Sequence, residues 1–175
     1  GTLIHRGVEM NARVGEIRNR VRGIATDTNV AKITVRGLVD RPGIAASLFE
    51  PLTESDISVD VIVQNASVDG ATDLTFTVKR TDLVRALEVV KPVAKELGGS
   101  GILSADNLTK ISIVGTGMLD SPGYASKMFR ALADAGINIE MITTSEIRIT
   151  CIVAEDRVEE AVRALHATFQ LDQVD

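Results

Sequence analysis

Two short stretches, Asp40-Arg41-Pro42-Gly43 and Asp120-Ser121-Pro122-Gly123, set an acid, a proline and a glycine between a β-branched run and an apolar-periodic one. Proline presets φ near the helical value, and at the first helical position its missing N–H is no loss. The glycine after it has no Cβ, so a bound molecule can approach the main chain closely. Unpaired N–H groups at a helix start attract an anion such as a carboxylate, and the nearby aspartate suits an ammonium. That layout would recognise a zwitterion. The plainer reading is that Asp-x-Pro-Gly is ordinary turn and helix-start chemistry, copied by duplication. The polar pair Gln64-Asn65, closing the apolar strand VDVIVQN, favours a ligand, because buried amides need partners. Bonds from those amides to neighbouring backbone or to the other copy are the alternative.

The elements that must position these joints come in two copies. AKITVRG from Ala31 matches TKISIVG from Thr109, and both alternate as half-buried strands do. The second copy has two extra residues before its joint. After the glycine, Ile44, Leu48, Phe49 and Leu52 answer Tyr124, Met128, Phe129 and Leu132, so each copy reads as one short amphipathic helix. ISVDVIVQN then answers INIEMITTS. Copy one continues through the turn SVDGAT to the strand DLTFTVK and a helix, TDLVRALEVVKPVAKEL, with Thr81 or Asp82 as N-cap. Copy two turns tightly into EIRITCIV, and Glu155 opens its last helix. Each unit runs β-α-β-β-α and needs one closing strand to make a four-stranded antiparallel sheet with both helices on one face. GSGILSA, Gly99 to Ala105, closes copy one. Copy two has no closing strand after its last helix, and an open edge leaves backbone groups unmatched. The free candidate is VRGIATD, Val21 to Asp27, which makes the first unit an insertion within the second.

Composition narrows the class of function. The chain has 175 residues, 45% of them hydrophobic, enough for one large or two small soluble globular domains. A formal net charge of −5 with interspersed carboxylates argues against a nucleic-acid partner, and the basic stretch RNRVRG reads as a solvated linker. No apolar run reaches the ~20 residues of a membrane span, and no signal-peptide layout opens the chain, so the cytoplasm is the default. The single cysteine, Cys151, lies in a strand-like run and reads as a buried, inert thiol. Neither GGSG nor GTGM has the lysine of a phosphate-binding loop behind it. His5 and His166 are too isolated for catalysis or metal binding, and no cofactor is expected.

Several longer stretches resemble the regulatory region of aspartate kinases, a tandem of ACT domains: Gln64-Asn65, GATDLTFTV from Gly70, KISIVGTGM, and NIEMITTSEIRI from Asn138. The opening GTLI resembles the end of the kinase catalytic domain. The resemblance implies an α+β fold of two ferredoxin-like βαββαβ ACT domains with antiparallel four-stranded sheets, the first inserted into the second. It places one domain over 27–105 and the other over 15–26 plus 106–171, after a linker over 1–14. It implies that threonine, lysine or both act as effectors, that the partner is the kinase catalytic subunit, and that regulatory regions pair as a homodimer. The chain would be a separately made small subunit or a piece of a longer kinase, without catalysis of its own. The threonine pocket would use Asp40 for the ammonium, the backbone at Ile44 and Ala45 for the carboxylate, and Gln64 for other polar atoms, with Asn138 and Ile139 from the facing unit. A second effector site would draw on Asp60, Asp120, Tyr124, Ala125 and Ser145. Thr144-Ser145 stands where copy one has Gln64-Asn65, so the two pockets are chemically unequal. The rivals are an ACT pair that regulates another enzyme or a transcriptional regulator, and a pure oligomerisation module.

Overall fold

The structure, a computed structural model, describes residues 21–65 and 67–171. The linker expected over 1–14, residues 15–20 and His5 lie outside the described residues. The chain divides into two compact units: an inserted unit, Thr28–Leu108, and a host unit formed by the chain on either side of it.

In the inserted unit, β1 (Val21–Val39, from Thr28 onward) leads to α1 (Ile44–Glu54), β2 (Ile62–Gln64), β3 (Ala71–Val78), α2 (Leu83–Glu96) and the first part of β4 (Gly101–Gly115). Its strands lie in the order β2-β3-β1-β4, with β3 antiparallel to both neighbours. Ile33, Val35 and Leu38 of β1 meet Leu74 and Phe76 of β3, Leu48 and Leu52 of α1, and Ala86 and Val90 of α2 in one core. The rings of Phe49 and Phe76 pack edge to face at 5.2 Å. Asp69 and Gly70, both at positive φ, make the two-residue hairpin loop between β2 and β3, the backbone that an Asp-Gly pair favours.

The host unit repeats the plan with the rest of β4, α3 (Tyr124–Asp134), β5 (Met141–Thr144), β6 (Arg148–Ala154) and α4 (Val158–Phe169). Its order is β1-β4-β6-β5, closed by the Val21–Asp27 part of β1. Val21 is buried there beside Ile111, Ile113, Met128, Leu132, Ile149 and Val153. The closing strand comes from the N-terminal side, and the first unit is inserted into the second.

Several elements differ from the pattern read in the letters. The strands expected at 21–27 and 31–37 are one strand, and GSGILSA fuses with TKISIVG in the same way. β2 and β5 shrink to three and four residues, although Asp60, Val61 and Glu140 still bond to the neighbouring strand just before them, and Ile57 and Ile137, which open the expected strands, are buried in the two cores. Neither Thr81 nor Asp82 caps α2 through its side chain. A 3-10 turn, Arg80–Asp82, precedes that helix, and Asn29 Oδ1 accepts the Thr81 N–H at 3.3 Å instead. A matching turn, Glu155–Arg157, precedes α4. Cys151 is fully buried, and burial pushes its thiol up to about 12.

Candidate functional site

At the first joint, Pro42 is not the first helical residue. The Ile44 N–H donates to the Arg41 carbonyl at 3.2 Å, and Gly43 sits at φ 89°, ψ −4°. That is a type II turn with proline at its second position and glycine at its third, and the helix begins only after it. Gly43 is therefore required by its left-handed backbone. A Cβ built on it would meet nothing within 4 Å, so the space beside the turn is open.

The turn decides which main-chain donors are available. The Ile44 N–H, expected to meet a carboxylate, is taken by the Arg41 carbonyl, and the Ile44 side chain is buried. The next N–H groups, of Ala45 and Ala46, have no acceptor among the described residues, and no side chain caps α1. Asp40 is exposed, its N–H donates to the Gly70 carbonyl at 3.0 Å, and its carboxylate has no partner among the described residues. Gln64 closes β2 on the same sheet, opposite Leu74. Gln64 and Asn65 are both exposed, contrary to the reading of them as buried amides, because β2 is a short edge strand. The Asn65 main-chain carbonyl accepts the Thr72 hydroxyl at 2.7 Å.

The second joint repeats the helix start and changes its approach. Gly123 sits at φ 108°, ψ −19°, ahead of α3, which also lacks a side-chain cap. The two extra residues fold into a 3-10 turn, Met118–Asp120. Tyr124 is buried, and the Ser126 hydroxyl donates to the Gly123 carbonyl at the helix start at 3.2 Å. Ser145 is exposed, and its N–H closes the β5–β6 turn on the Arg148 carbonyl at 2.8 Å. Thr116, Gly117, Asp120, Glu146 and Ile147 line a cleft of about 410 Å³ between these two turns. Asn138 and Ile139 lie in the loop before β5 of the host unit, and Asp60 precedes β2 of the inserted unit.

An ACT domain family model matches residues 33–92 and again 111–169. An aspartokinase of Pseudomonas aeruginosa is 46% identical over 152 residues, 87% of this chain and 37% of that protein's length. The crystal structure of the ligand-free regulatory subunit of aspartate kinase from Thermus thermophilus superposes with a TM-score of 0.82 at 42% identity, covering 86% of this chain and 99% of that one. A crystal structure of aspartokinase alpha and beta subunits gives 0.81 at 43% identity, with the same coverage. The chain belongs to the ACT-domain family of aspartate kinase regulatory regions. It spans just over a third of the length of the curated relatives it matches.

Within these ACT units, sequence reasoning missed three features. Ala46 gains its place only from the turn that occupies Ile44. Glu146 adds a second carboxylate to the cleft at Asp120 and was legible as the acid beside Ser145. A bulge in β1 at Arg36-Gly37, just before Asp40, was signalled by the step from Val35 to Leu38, where buried residues stop alternating. Among the described residues, no helix is long and apolar enough to cross a membrane.

Proposed function

We propose that this chain is the effector-sensing part of an aspartate kinase and that it binds threonine at the head of α1. Asp40 takes the ammonium, the N–H groups of Ala45 and Ala46 take the carboxylate, and Gln64 meets the remaining polar atoms. The observation that carries this reading is the pairing of an unpartnered aspartate with two unoccupied helix-start donors across an open turn. The cleft bearing Asp120 and Glu146 offers a second carboxylate and suits an effector with two cationic groups, which favours lysine there.

Feedback inhibition follows when the bound amino acid prefers one arrangement of paired regulatory regions, as a homodimer beside the catalytic part, over another. Tight binding without such a preference shifts nothing. A tenfold preference amounts to ~1.4 kcal/mol, within the usual span of coupling between sites.

Calorimetry on the full chain tests the assignment. Threonine binds the unaltered chain, and Asp40→Ala weakens it about tenfold or more, because a hydrogen bond between charged groups is lost. Equal affinity in the two chains would show that Asp40 does not hold the ammonium.

A further inference from the structure

We propose that Asp73 is a positioning residue for the threonine site: its carboxylate holds the β1 bulge that sets the register of Asp40. The inference rests on the effector reading of the first joint. Val35 pairs with Leu74 and Leu38 with Thr72, so Arg36 and Gly37 together oppose the single residue Asp73. The extra residue reverses which side chains face the core. Ile33 and Val35 are buried before it, and Leu38, three positions on, is buried after it. Asp40 follows Leu38 by two, and so keeps the parity of the helix-covered face on which α1 begins. Without the bulge that parity would be opposite.

The bulge is fixed at three points. Gly37 takes φ +69°, and its N–H donates to Asp73 Oδ1 at 2.9 Å. The Arg36 carbonyl accepts the Ser100 N–H at 2.8 Å. A Cβ on Gly37 would lie 2.5 Å from Ser100 Oγ, so only glycine fits. The Asp40 N–H bond to the Gly70 carbonyl closes the far end, so the segment 37–40 is tied at both ends to the β3 side of the sheet. The duplicate shows that the carboxylate is particular to the inserted unit. In the host unit, Arg148 stands at the place of Asp73, and the matching Gly115 N–H donates to a main-chain carbonyl, that of Ile147, at 2.8 Å.

The test compares Asp73→Ala and Asp73→Asn in the full chain by threonine calorimetry, thermal unfolding and residue-level amide exchange. Asp73 is exposed and outside the core, so both variants fold with little change in melting temperature. Asp73→Ala binds threonine about tenfold more weakly and exchanges faster at the Gly37 and Asp40 amides. Asp73→Asn, which keeps an acceptor oxygen, recovers most of both. Unchanged affinity or unchanged Asp40 exchange in Asp73→Ala overturns the inference, as does an asparagine variant as weak as the alanine one. A chain that binds no threonine at all refutes the effector reading instead, and the exchange result still decides whether Asp73 holds the bulge.

Discussion

Gly43 and Gly123, at φ 89° and 108°, lie where an L side chain is strained, although a Cβ on either would meet nothing within 4 Å. The cost of adding one is therefore purely a backbone cost, about 1–2 kcal/mol at each site. Urea unfolding of Gly43→Ala and Gly123→Ala should show that loss. Gly23→Ala, in β1 with open space around it and no left-handed φ, should be neutral or slightly stabilising. The contrast separates two explanations of a Pro-Gly joint that look alike in the letters. Were the glycine there only for close approach of a ligand, alanine at position 43 would lower affinity and leave stability unchanged.

The two helix pairs are fastened by arginines that a residue-by-residue match of the copies does not reveal. In the inserted unit, Arg85 reaches the Ser55 carbonyl at the end of α1 at 3.3 Å and pairs with Asp82. In the host unit, Arg157 reaches the Ala135 and Gly136 carbonyls at the end of α3, at 2.9 and 3.1 Å, and pairs with Glu160. The acid and the base have exchanged places along the same turn, yet each guanidinium still lies over the negative end of a helix. The Arg157 side chain is 33% exposed and that of Arg85 55%, and the Arg157 bonds are shorter and more numerous. Arg157→Ala should therefore cost roughly 1–2 kcal/mol and Arg85→Ala well under ~1 kcal/mol, measured by urea unfolding.

At this scale the helices were legible because Leu48, Leu52, Met128 and Leu132 recur at helical spacing and are all buried. The through-running strands were not. Asp27, Asn29, Asp106 and Asn107 have poor strand propensity and read as breaks, but they are exposed and tolerated where the strands run on past them. The joint's residues were legible by type. The donors left free by its turn were not, because a 3.2 Å turn bond at Ile44 is a matter of backbone geometry that residue types do not fix.

The insertion makes the host unit depend on a segment separated from the rest of it by the whole of the inserted unit. Val21–Asp27 is the described stretch that lies in sequence before the inserted unit, and it supplies the strand that closes the host sheet. Val21 is 5% exposed within the host core, and Ile24 packs against that core. A carboxylate placed there would be buried without a partner, at a cost of several kcal/mol. Val21→Asp should therefore destabilise the host unit selectively. Amide exchange should rise at Ile111, Ile113, Ile149 and Val153, whose side chains share the Val21 core, while Ile33, Leu74 and Phe76, in the separate core of the inserted unit, keep their protection. Uniform loss of protection across both cores would instead mean that β1 and β4, which contribute residues to both units, make the chain one cooperative block. An effector bound in either unit would then stabilise the whole chain.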